Sequence, residues 1–163
     1  MKLLNLTLST MLLLAASLCT QAQEADKLSP LAPNAPADNA VKANDEKKFD
    51  ELLKPYVEKA RKTYPDAKER YLAGLPAKHV FFVTAKLRDS AGVWEQVFIE
   101  VKEIREGKIK GLIANDILSV SGYKLGDHYE VAESEIVDWT ISKPDGSEEG
   151  NFVGKFLDTY KPE

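Results

Sequence analysis

Four carboxylates stand beside turns or aromatic residues, where acid–base chemistry is best placed. They are Glu95 in Trp94-Glu95-Gln96-Val97-Phe98, Asp116 after Gly111-Leu112-Ile113-Ala114-Asn115, Asp127 in Leu125-Gly126-Asp127-His128, and Asp138 in Glu135-Ile136-Val137-Asp138-Trp139. Two carboxylates can divide the acid and base roles of a hydrolase when their surroundings split their pKa values. The residues around each of them point first to structural roles. Asn115 and Asp116 carry the side chains that close turns by bonding nearby backbone amides. Gly126-Asp127 reads as a turn entering a strand, since Gly tolerates positive φ and Asp closes the turn. Trp139 is expected to bury its ring and donate its indole N–H, with Asp138 on the opposite side of the same strand. Glu95, Asn115, Asp127, Asp138 and Trp139 are therefore taken as a candidate binding surface, provided they line one concave face. No residue is assigned a catalytic role.

Much chemistry is missing from the inventory. Cys19 is the only cysteine, and it lies in the apolar leader described below. A chain cut after that leader has no thiol nucleophile, no iron–sulfur ligand and no thiolate zinc site. His79 and His128 are far apart and form no HxxxH or HExxH pair, so no metal site is expected. GxxxxGK[ST], GxGxxG and GxSxG are absent, which removes the common phosphate loops and the nucleophile elbow. A Ser-His-Asp triad needs no fixed spacing, but nothing in the sequence points to one. No cofactor is expected.

The N-terminus gives an address. Lys2 precedes a mostly apolar stretch from Leu3 to Leu18, short for a bilayer span, and Thr20 and Ala22 place small residues before a cut after Ala22. Residues 1–22 are read as a secretion leader, and the protein as periplasmic or secreted, with no membrane span after cleavage. Cys19 follows Leu18 rather than a small residue, which argues against a lipid anchor. Export without cysteines means no disulfide, so the fold must stand on its core. The chain has 163 residues, Lys+Arg 22 and Asp+Glu 26, a net charge of −4 that argues against a nucleic-acid partner.

The elements that position these residues fall into two textures. Residues 23–43, with Pro30, Pro33 and Pro36 and no apolar period, read as a flexible Pro/Ala-rich linker. From Asn44 or Asp45, a helix cap, the positions Phe49, Leu52, Leu53, Tyr56, Val57 and Ala60 trace one helical face. Pro55 should kink this helix, and Pro65 should end it and open a short second helix reaching Ala73 and Gly74. Lys59, Arg61, Lys62, Lys68 and Arg70 suit a solvated face. No proline then occurs between Pro76 and Pro144, while Gly-bearing turns punctuate β-rich runs. Strands are expected at 79–87, 93–104, 108–114, 128–132, 136–141 and, last, 151–160. The fold class is α+β: N-terminal helices packed on a curled, mostly antiparallel sheet of five or six strands, one domain over 44–163.

The order of Trp94-Glu95-Gln96-Val97-Phe98, Gly111-Leu112-Ile113-Ala114-Asn115, Leu125-Gly126-Asp127 and Ile136-Val137-Asp138-Trp139 resembles the YegJ-like bacterial family, a domain of unknown function. Ala60-Arg61-Lys62-Thr63 upstream fits the same family, and the resemblance spans about residues 50–160. Two positions depart from it. The family often has Glu-His-x-Trp where this chain has Glu95-Gln96-Val97-Phe98, and a Pro where this chain has Ile117. A histidine acting there as acid, base or ligand has no substitute in Gln96, because an amide does not titrate. The resemblance implies a fold and supplies no activity. An exported, non-catalytic binding module for an unknown protein or envelope component is the reading that fits best, with a carboxylate-dependent hydrolase as the alternative.

Overall fold

A computed structural model describes residues 46–161. The expected leader, the linker and the cap at Asn44 or Asp45 lie outside the described residues. Helix α1 (Glu46–Ala73) is followed by strands β1 (Val80–Arg88), β2 (Trp94–Arg105), β3 (Lys108–Ile113) and β4 (His128–Ala132). A 3-10 turn (Glu133–Glu135) leads to β5 (Asp138–Ser142), β6 (Glu148–Gly150) and the short helix α2 (Phe152–Leu157). The six strands form one open sheet in the order β4-β3-β2-β1-β5-β6, with every neighbouring pair antiparallel.

The β1–β2 hairpin is the centre of the sheet and its alternation decides the core. Phe81, Val83, Ala85 and Leu87 from β1, with Val97, Ile99 and Val101 from β2, are buried in one cluster with Ala60, Tyr64 and Ala67 of α1. Asp89 closes the hairpin by accepting the N–H groups of Ala91 and Val93 on its own carboxylate. Between β2 and β3, Glu106 and Gly107 both take positive φ (54° and 75°), the two-residue turn whose twist matches the strands it joins. A register shift between Val101 and Glu103 bends β2, and Gly111 faces that strand so closely that a Cβ there would run into the backbone oxygen of Glu100.

Two expectations are corrected. The first helix does not stop at Pro65: α1 runs unbroken through Pro55 and Pro65 for 28 residues. Both prolines lie on the exposed side of the helix. The carbonyls they leave without a helical donor, those of Glu51 and Arg61, are on residues that also face solvent, so neither is a buried polar group without a partner. The buried stripe Leu53, Ala60, Tyr64 and Ala67 passes beneath undisturbed.

Residues 151–160 do not form a strand. After β6, Gly150 and Asn151 take successive left-handed conformations (φ 76° and 51°), which turn the chain out of the sheet. The spacing Phe152, Val153, Phe156, Leu157 then suits a helix, and Val153 joins Leu53 and Val137 in a second cluster that Phe156 and Leu157 cover. The ring of Phe156 stacks on Tyr56 of α1 at 4.3 Å.

Candidate functional site

The segment 114–126 between β3 and β4 is a loop with closed ends. Ile113 N–H donates to the carbonyl of Asp127 (2.9 Å) and Gly126 N–H returns to the carbonyl of Ile113 (2.8 Å). A compact loop whose ends meet is an Ω-loop, an arrangement common at working sites.

Polar side chains from outside fix its path. Glu95 is 2% exposed and its carboxylate accepts the N–H groups of Leu118 (3.1 Å), Ser119 (2.7 Å) and Val120 (3.3 Å). Charge-assisted bonds to consecutive amides hold a turn more firmly than neutral ones. Asn115 accepts Phe98 N–H at 2.7 Å and donates to the carbonyl of Asp116. Asp89 accepts Ser121 N–H, and this bond, with those to its own turn, holds its carboxyl below the usual range against a small cost of burial. Asp127 accepts Lys124 N–H at 3.0 Å. Val120 is buried in the main core and pins the middle of the loop.

What the loop offers to solvent is apolar. Leu118 is 62% exposed, Leu125 53% and Tyr123 36%, and the edge of Tyr123 rests against the ring of Tyr129 at 5.9 Å. A loop braced by the buried carboxylate of Glu95 and the half-buried ones of Asp89 and Asp127 thus carries three large side chains outward.

Asp138 and Trp139 belong to a different place, where β5 meets the two helices. Asp138 is fully buried, and its carboxylate accepts Trp139 N–H (2.7 Å) and Val153 N–H (2.6 Å) at the start of α2. Burial pushes its pKa up to about 7, the two N–H donors oppose that shift, and the nearby charge of Glu148 adds to it. Trp139 donates its indole N–H to the carbonyl of Ala60 (3.1 Å) and to Thr63 (3.0 Å), tying α1 to the sheet. Its ring meets Phe81 and Phe152.

Of the five residues singled out from the sequence, the structure therefore brings Glu95, Asn115 and Asp127 together around one loop and places Asp138 and Trp139 elsewhere, inside the protein. Glu95 accepts three backbone N–H groups, Asp138 two and Asp127 one, and Asp116 is exposed on the loop. Among the described residues, no group of three or more His, Cys, Asp or Glu side chains is arranged to hold a metal ion. His79 lies just before β1, its Nδ1 3.3 Å from the carbonyl of Ala77, and His128 is exposed at the start of β4. The basic face of α1 is less free than its charge pattern suggests. Lys68 bonds Glu133, Arg70 bonds Glu149, and Arg61 donates to the carbonyl of Ile136.

Sequence reasoning passed over two residues here. Asp89 was legible only as a turn former, yet it also reaches Ser121, 32 positions downstream. Gln96 was weighed only as a group unable to titrate. In the structure its amide is buried with both polar atoms unpartnered.

A small α+β domain with one helix across an open antiparallel sheet and a braced loop at one end is the class these features define. The chain belongs to a family described as an uncharacterized protein conserved in bacteria, the domain of unknown function DUF2314, which matches residues 50–159. Among curated proteins and among solved structures, nothing matches the chain. Among the described residues, no helix is long and apolar enough to cross a membrane.

Proposed function

We propose that this is an exported, non-catalytic binding module whose 114–126 loop engages a protein partner in the bacterial envelope. The observation that carries the reading is the combination in that loop: backbone held by Glu95, Asn115 and Asp127, side chains of Leu118, Tyr123 and Leu125 turned outward. A rigid loop loses little entropy on binding, and aromatic and aliphatic anchors supply most of the energy of protein interfaces. Export rests on the leader of residues 1–22. The acidic balance of the chain favours a partner with a basic face. The hydrolase alternative gains nothing, because Glu95 and Asp138 are taken up by backbone N–H groups in different parts of the fold, and Asp116 and Asp127 stand on the loop with no cleft shared with Asp138.

A photo-crosslinking residue at Leu118, and one at exposed Lys62 on α1 as the control site, tests the proposal in cells. One protein is expected to be captured from position 118 and not from position 62, and capture should be lost when Tyr123→Ser and Leu125→Ser are added. Equal capture from both positions, or capture indifferent to Tyr123 and Leu125, would reject the loop as the contact. Cell fractionation decides the location: a chain retained in the cytoplasm with Met1 attached removes the export half.

A further inference from the structure

The sheet has two faces, and Ala60, Tyr64 and Ala67 of α1 pack on one of them. Strand pairing turns Trp94, Gln96 and Phe98 of β2, Phe82 and Thr84 of β1, and Thr140 of β5 to the other. On β3 and β4 that second face carries Lys108, Lys110 and Glu130, which pair with one another in solvent. Over β1, β2 and β5 it is different. Trp94, Phe82 and Thr140 are fully buried there, and Thr84, Gln96 and Phe98 nearly so.

Among the described residues, no helix or loop is packed across this aromatic strip. Neither hydrophobic cluster takes in Trp94, Phe82 or Phe98. Phe82 and Phe98 meet each other edge to face at 6.5 Å, and Trp94 meets Phe49 and Lys86 at the rim. The helix α2 touches the margin, where Val153 N–H bonds Asp138.

The polar groups of the strip are also unmatched. The indole N–H of Trp94, both amide atoms of Gln96 and the hydroxyl of Thr140 are buried without a hydrogen-bond partner. Native proteins pair nearly all such groups. A cover that matches them needs free backbone carbonyls and N–H groups, and a helix has already used its own.

The chain outside the described residues joins the domain at this strip. Glu46, the first described residue, bonds Arg88 (2.8 Å) and Lys86 (3.2 Å), the cross-strand partners of Trp94 and Gln96. Upstream of it, Pro30, Pro33 and Pro36 recur at every third residue, with Leu28 and Leu31 on the same spacing. Three residues make one turn of a polyproline II helix, so the prolines share one edge and the leucines another. That helix has no internal hydrogen bonds, and segments of this kind dock on aromatic surfaces. In that form residues 28–37 span about 30 Å. The strip is shorter, about 20 Å of strand from Trp94 to the level of Phe82.

We infer that residues 28–37 lie across this strip as a polyproline II strap. Their carbonyls accept the N–H groups of Trp94 and Gln96, and their proline and leucine side chains pack on Phe82 and Phe98. The segment between leader and domain is then part of the folded unit, closing the second face of its sheet. The inference does not depend on the loop reading.

NMR on the ¹⁵N,¹³C-labelled chain, in the form that cells accumulate, tests it. NOEs are expected from the Trp94 indole N–H and the Gln96 NH₂ to residues 28–37, unchanged on dilution. The indole N–H of Trp139, bonded to Ala60 and Thr63, is the internal control. Leu28→Ser combined with Leu31→Ser, outside the described fold, should speed solvent exchange of the Trp94 indole N–H at least about tenfold and leave that of Trp139 unchanged. NOEs from the strip to residues 3–18 would assign the cover to the leader and overturn the inference. NOEs between labelled and unlabelled chains would assign it to a second copy, with the same consequence. A strip with no NOEs to residues 28–37, or Trp94 exchange indifferent to the double substitution, would overturn it as well.

Discussion

Asp138→Asn should make the fall of stability with rising pH markedly shallower. Asp138 is fully buried and its pKa is raised from 3.8 to about 7, chiefly by burial. A raised native pKa means that the folded state holds the proton more tightly than the unfolded chain. The stabilising protonation is fully present below about pH 4, declines as the pH rises, and is gone above about pH 7. A shift of roughly 3 units corresponds to about 4 kcal/mol across that window. Glu148, also pushed up by burial, acts in the same direction and steepens the decline. Glu149, held down to about 2 by Arg70 and Lys143, titrates in the opposite sense but below this window. The amide of an Asn offers one acceptor where the carboxylate offers two, so either Trp139 N–H or Val153 N–H loses its partner, at about 1–3 kcal/mol. The variant is thus expected to be the less stable protein at about pH 5 and to equal or exceed the natural one at about pH 8. Urea unfolding followed by the fluorescence of buried Trp94 and Trp139 measures both curves. A natural protein whose stability is flat or rises between those pH values, or a variant that keeps the natural slope, would refute the reasoning.

Two further substitutions test the supports of the sheet and loop. Glu95→Ala leaves the N–H groups of Leu118, Ser119 and Val120 without their acceptor and should cost about 3 kcal/mol. It should also open the 114–126 loop to proteolysis, whereas Asp116→Ala, exposed on the same loop, should change neither. Gly111→Ala drives a methyl group into the Glu100 carbonyl and to 2.7 Å from Ile99 Cγ2, so the β2–β3 pairing must shift. A loss of about 2–4 kcal/mol in urea unfolding is expected, and a loss below 1 kcal/mol would show that the bulge in β2 absorbs the group.

The hairpin was legible because its signals are local. Alternating Phe81, Val83, Ala85 and Leu87 put one face in the core, and Asp89 and the Glu106-Gly107 pair mark turns within a few residues of the strands they join. The two misread stretches depended on neighbours. Pro55 and Pro65 disturb a helix least where the freed carbonyls face solvent, and which side of α1 faces water is set by the sheet it packs on. Residues 152–157 carry aromatic and β-branched side chains that favour a strand by type and a helix by spacing, and the choice falls to the left-handed turn at Gly150 and Asn151. β6 is three residues long and contains two glutamates and a glycine, which give no strand signal at all.

The candidate site was legible in composition and hidden in direction. Glu95, Asn115 and Asp127 were picked as polar residues near turns, and they do meet at one loop. The backbone groups that occupy Glu95 come from positions 23 to 25 residues later, however, beyond any local pattern. Direction matters because a carboxylate that already accepts several backbone N–H bonds cannot also take a proton from a substrate without breaking the turn it holds. The same accounting makes Gln96 informative. Among the described residues with unpartnered buried polar atoms, Glu148 and Asn151 each use another atom of the same side chain, and Trp94 and Thr140 each have a single polar group. Gln96 alone leaves a whole amide unused, in a chain that elsewhere assigns its buried acids to backbone amides.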